Sequence, residues 1–186
     1  TVASDNQVVD AVTTKCGFRT IRFDAKEGFF LNDQPLKLQG TSNHQDHAGV
    51  GVAVPDSIQE FRIRKLKEMG SNAYRSAHNP PSTELLDICD RLGMLVMNET
   101  RHFNASPEYI KQLEWLVRRD RNHPSVILWS LFNEEGLQVK EEGMEMARVM
   151  NAVVKRLDTT RPTTGGQNKG HLGPDGKANP KNAAQI

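Results

Sequence analysis

The sequence predicts an α/β fold: part of a (β/α)8 barrel of the TIM type, behind the last strands of a β-domain. Three observations predict it. From Leu36 onward, short apolar runs alternate with amphipathic helical stretches, and the runs recur about every 20 to 35 residues, the size of a βαβ unit. No Gly-x-Gly-x-x-Gly or phosphate-binding loop follows any run, which argues against a doubly wound nucleotide-binding domain. Each of the first four runs ends in polar residues of catalytic type, at the end where parallel barrels bind ligands. A whole barrel takes roughly 250 residues, so this chain supplies about five of the eight units. A piece of a longer enzyme is expected.

The elements justify this in order. Val8–Phe23 alternates loosely, and Phe18–Phe23 reads as a half-buried strand. Gly28–Asp33 reads as a hairpin arm turning at Asn32-Asp33. Leu36–Gly40 is the first expected barrel strand, followed by the polar loop Thr41–Pro55 and a helix over Asp56–Met69 that presents Ile58, Phe61, Leu66 and Met69 and stops at Gly70. Asn72–Ser76 is the second strand. Ser82 then caps a helix carrying Leu85, Leu86, Cys89 and Leu92, with Gly93 as its stop. Met94–Asn98 is the third strand. Ser106-Pro107 opens a helix with the stripe Tyr109, Ile110, Leu113, Leu116 and Val117, which Pro124 prevents from continuing. Val126–Phe132 is the fourth strand. A helix with Met146, Val149, Met150, Val153 and Leu157 in register leads to a weaker fifth strand over Arg161–Gln167. The domain expectation is residues 1–33 for the end of the β-domain, 34–168 for the barrel portion, and 169–186 for a loop or disordered tail.

Composition excludes several classes. A net charge of +1 makes no electrostatic case for nucleic acid or a membrane surface. No apolar run approaches a membrane-spanning length, and Thr1–Asp10 lacks the layout of a signal peptide. Cys16 and Cys89 fall in different expected domains without metal-ligand spacing. A soluble protein is expected, in a cytoplasmic, periplasmic or secreted setting.

The chemistry is expected to centre on Val126–Glu135, reading VILWSLFNEE. Six of the seven positions Val126–Phe132 are apolar, as in a strand covered on both faces, and the run stops abruptly at Asn133 and Glu134. Adjacent strand residues point to opposite faces, so both meet one substrate only if the strand curls or ends between them, which Gly136 permits. The alternative is that Asn133 caps the next helix and Glu134 and Glu135 are its first-turn acids. The other strand ends decide between these readings: Asn43, His44, Asp46 and His47; Arg75, His78 and Asn79; Glu99, Arg101 and His102. Together they line a pocket, with Trp129 as an aromatic wall. The histidines lack zinc-ligand spacing, Arg75 pairs with Glu99 or contacts substrate, and two carboxylates at strand ends suggest glycoside hydrolysis. Neighbouring strands lie ~4.8 Å apart, so Glu99 and Glu134 are a candidate retaining pair.

The motifs Gly40-Thr-Ser-Asn-His44, Asn72-Ala-Tyr-Arg-Ser-Ala-His78-Asn-Pro, Leu85–Val96, Arg119-Asp-Arg-Asn-His-Pro-Ser125 and Ile127–Glu134 resemble glycoside hydrolase family 2, the β-galactosidase, β-glucuronidase and β-mannosidase group, over about Phe18 to Gln167. The resemblance implies an immunoglobulin-like β-sandwich ending near Asp33, then the first five barrel units. It implies a retaining β-glycosidase, with β-galactosides as first choice and β-glucuronides or β-mannosides as alternatives. Glu134 becomes the general acid/base and Asn133 the partner of the sugar's 2-hydroxyl. His44 and His78 become sugar contacts, Arg75 the arginine that orients the nucleophile, and Glu99 a supporting acid. The family's nucleophile is a glutamate on a later strand, outside this chain, so the isolated chain is expected to be inactive. The magnesium-binding acid and histidine of some β-galactosidases fall at Phe103 and Ala105, so no metal and no cofactor is expected. The expected partner is a carbohydrate, and a homo-oligomer of the full-length enzyme is compatible with the resemblance. A non-catalytic carbohydrate-binding fragment or degenerate homologue is the alternative from another class.

Overall fold

The structure, a computed structural model, describes residues 1–167. The expected tail over 169–186 lies outside the described residues.

Two small antiparallel sheets come first, as expected for the closing strands of an immunoglobulin-like sandwich. One is the exposed hairpin β1 (Val2–Ser4) and β2 (Gln7–Asp10); the other joins β3 (Ile21–Asp24), β4 (Gly28–Leu31) and β5 (Gln34–Pro35). The turn between β4 and β5 is Asn32-Asp33, both at positive φ, the backbone that a two-residue hairpin requires. The strand expected over Phe18–Phe23 begins only at Ile21, and Phe18 is 98% exposed.

The barrel portion is β6 (Gly40–Asn43), α1 (Asp56–Glu68), β7 (Ala73–Ser76), α2 (Thr83–Leu92), β8 (Leu95–Glu99), α3 (Pro107–Asp120), β9 (Val126–Asn133), α4 (Glu141–Leu157) and β10 (Thr163–Gly166). All five strands pair parallel, each with its successor. This is a partial (β/α)8 barrel.

Local chemistry sets most boundaries. Ser82 Oγ accepts the Leu85 amide at 3.2 Å, and Gly93 closes α2 in the left-handed conformation with φ 69°. Pro107 occupies the first turn of α3, where its missing N–H costs nothing. The helices cover one face of the sheet through Leu86, Cys89, Val117, Met150 and Val154, packed on Val96, Trp129 and Phe132. Fully burying a residue such as Leu86 contributes roughly 1.5–3 kcal/mol.

Three expectations are corrected. The first barrel strand is Gly40–Asn43 rather than Leu36–Gly40, because Leu36 and Leu38 pack against Phe29, Leu95 and Ile127 instead. The Asn72 side chain ties the lead-in, accepting from Gln39 N at 2.8 Å and donating to Lys37 O at 2.9 Å. α1 is turned so that Ile63 is fully buried, while Phe61 and Met69 are exposed. Trp129 is no pocket wall: it is buried under the helices, and its indole N–H donates to Asp158 at 2.8 Å.

Candidate active site at the strand ends

The last residues of β7, β8 and β9 meet around one buried carboxylate. Glu99, at the end of β8, has no exposed surface. The guanidinium of Arg75, from the neighbouring strand, donates to it through Nε at 3.0 Å and through Nη2 at 2.8 and 3.1 Å. Ser130 on β9 donates its hydroxyl to Oε2 at 2.6 Å, and His78 Nδ1 lies 2.8 Å from Oε1. The Glu99 amide itself donates to Ser76 Oγ at 3.0 Å.

The protons follow from the partners. An ionised carboxylate only accepts, so the His78 nitrogen that faces Glu99, Nδ1, is the one that carries a proton. The 3.3 Å approach of Arg75 Nη2 to the same Nδ1 is then a contact between two donors that share Glu99. Arg75 Nη2 also donates to Asn133 Oδ1. That bond orients the carboxamide and leaves its N–H pair as a donor without a partner among the described residues.

Strand β9 delivers both Ser130 and Asn133 to this cluster, although a spacing of three places them on opposite faces of a regular strand. The register explains how. Thr164 of β10 pairs with Ser130 and Gly166 with Asn133, so β9 fits three steps against two. This is a bulge, which re-aims the side chains beyond it. Glu134 then adopts φ 49° and donates its amide to Gly166 O at 2.6 Å. A left-handed glutamate is uncommon and costs energy unless its surroundings hold it. The curl expected near Gly136 therefore falls at Glu134 itself, and Glu134, next in sequence to Asn133, is exposed.

Of the other expected site residues, His44 is exposed and stacks edge-to-face on His78, with ring centroids 5.2 Å apart. His47 and His102 go elsewhere, His47 to a bridge with Gly51 and His102 onto the Tyr109 ring. The four histidines do not converge. Among the described residues the grouping with metal-ligand proximity is Asp87, Asp90 and His123, away from these strand ends. Phe103 packs on Phe132, with centroids 4.5 Å apart. Both oxygens of Glu99 are engaged by Arg75, with His78 also at Oε1 and Ser130 also at Oε2.

Sequence reasoning missed Ser130 and Gly166. Ser130 had a signal, as the single polar residue inside the run Val126–Phe132. Gly166 had none beyond its position on the last strand: a Cβ placed there would lie 2.7 Å from Arg75 Nη2 and 2.8 Å from Asn133 Oδ1.

Parallel strands wrapped by helices, with a polar cluster at their carboxyl ends, define the class: a (β/α)8 barrel domain of enzyme type. The comparisons give the family. Residues 24–173 match the model for the glycosyl hydrolases family 2 TIM barrel domain. The chain is 35% identical to a β-galactosidase of Bacteroides ovatus over 92% of its own length and 25% of that protein. It is also 35% identical to a β-glucuronidase of Bacteroides fragilis, over 89% of this chain and 26% of the relative. The crystal structure of a family 2 member from Bacteroides cellulosilyticus superposes with a TM-score of 0.83 at 42% identity, covering 89% of this chain and 23% of that one. This chain belongs to glycoside hydrolase family 2, and it spans about a quarter of the length of these relatives. No helix among the described residues is long and apolar enough to cross a membrane.

Proposed function

We propose that this chain is the first part of the catalytic barrel, with the end of the preceding sandwich, of a retaining β-glycosidase acting on terminal sugars. The boundary between the two parts falls near Asp33. The observation that carries the reading is the left-handed, exposed Glu134, next in sequence to an Asn133 that Arg75 orients.

In this reading Glu134 gives its proton to the departing glycosidic oxygen while a glutamate of a later strand attacks the anomeric carbon. Glu134 then takes a proton from the water that releases the sugar. Asn133, with its carboxamide N–H pair unengaged, donates to the 2-hydroxyl. His78 and His44 offer ring nitrogens to other hydroxyls. Glu99 is the buried counter-charge that fixes Arg75 and His78. β-Galactosides are the first choice of substrate and β-glucuronides the second, following the activities in the names of the relatives.

The test is Glu134→Gln in the full-length polypeptide, assayed on aryl β-galactosides and β-glucuronides of graded leaving-group ability. General acid catalysis contributes about 10²–10⁴-fold. A loss of that order is expected on poor leaving groups, and a much smaller one on activated aryl glycosides. Equal, small losses on both would remove Glu134 from the role. The preferred glycone of the wild-type protein decides between galactoside and glucuronide.

A further inference from the structure

Gly166 touches the site twice. Its carbonyl accepts the Glu134 amide at 2.6 Å, the bond that pins the left-handed residue. Its missing side chain leaves the space in which the Arg75 guanidinium and the Asn133 carboxamide meet, 2.7 and 2.8 Å from where a Cβ would sit. Real Cβ contacts do not come that close, so any side chain here forces a displacement. Arg75 cannot give way freely, because Glu99 holds it from two nitrogens. Asn133 is held by Arg75. What yields is the Arg75–Asn133 bond or the seat of β10 against β9, and the second moves the carbonyl that fixes Glu134.

We propose that Gly166 is a positioning residue for the general acid/base: it sets the direction of the Glu134 carboxylate through its carbonyl, and its lack of a side chain lets β10 seat closely enough against the Arg75–Asn133 pair for that carbonyl to reach the Glu134 amide. The inference rests on the reading of Glu134 as the acid/base. Gly165, its neighbour, faces the other way, and a Cβ there would lie 2.5 Å from the Phe132 ring. The two adjacent glycines therefore separate a site effect from a packing effect.

The experiment uses the full-length polypeptide and compares Gly166→Ala with Gly165→Ala, reading melting temperature and kcat on a poor and an activated aryl glycoside. For Gly166→Ala the ratio of kcat on the poor leaving group to that on the activated one is expected to fall about 10- to 100-fold, part of what a misdirected general acid forfeits. Gly165→Ala is expected to lower the melting temperature and leave that ratio unchanged. In a Glu134→Gln background, Gly166→Ala is expected to cause no further fall. Should Gly166→Ala not fold, the same ratio is read for Asn133→Gly with and without Gly166→Ala; a fall on adding the alanine supports the proposal, and no fall overturns it. Equal losses on both substrates, or a further fall without the Glu134 carboxylate, also overturn it. If Glu134→Gln itself shows no dependence on the leaving group, the acid/base reading fails and this proposal with it, which distinguishes that outcome from failure of Gly166 alone.

Discussion

Arg75 and Glu99, on adjacent strands and 24 residues apart, form a forked ion pair in which one carboxylate, fully buried, takes both its oxygens to the same guanidinium. The pair fixes Arg75, and Arg75 fixes Asn133. The order of the site thus runs outward from a residue with no exposed surface.

Removing that residue leaves a partly buried cation without its partner. Glu99→Ala is expected to destabilise the protein by about 3–5 kcal/mol, the usual cost of breaking a buried pair from one side, measured by urea unfolding. A loss under about 1 kcal/mol would show the pair behaving as a solvated one.

Ser130→Ala removes the hydroxyl that donates to Glu99 Oε2 at 2.6 Å. A hydrogen bond to a charged group contributes about 1.5–3 kcal/mol, and a loss of that size is expected. In the Glu99→Ala background the serine has no carboxylate to serve, so the two losses are expected to combine to less than their sum. Strict additivity in the double-mutant cycle would show the two side chains acting independently.

The pH dependence of stability is expected to carry a signature from His123 and Asp90, 2.7 Å apart. The hydrogen bond to Asp90 raises His123 above its ordinary 6.5, against the effect of burial. For Asp90 burial acts upward, but hydrogen bonds from His123 and Ser125 outweigh it and hold the carboxyl below its ordinary 3.8. A raised histidine stabilises fully below its unfolded value and loses this as pH rises through its folded value. A depressed carboxyl stabilises above its unfolded value and loses this as pH falls through its folded one. The pair therefore contributes fully between pH 3.8 and 6.5. Asp90→Asn is expected to flatten the fall in melting temperature on the alkaline side of that window; an unchanged profile would remove His123 as its cause.

Among the described residues, the sequence by itself determined where the barrel's helices lie and how many strands alternate with them. Those features are local: an amphipathic stripe such as Leu85, Leu86 and Cys89 with a serine before it and a glycine after it makes the same helix whatever it packs on. The residue types at the ends of β7, β8 and β9 were legible for a related reason, since an apolar run that stops at Asn133-Glu134 marks where a strand leaves the core. Which face α1 would bury was not legible, and Phe61, expected inside, lies outside. The tertiary structure alone decided how the strand ends meet. The bulge that brings Ser130 and Asn133 to one side depends on the register of β9 against β10, and the turn of Glu134 depends on the carbonyl of Gly166, 32 residues later. Register and inter-strand hydrogen bonds join residues far apart in sequence, and a glycine kept for the space beside it is marked only by the side chains that fill that space.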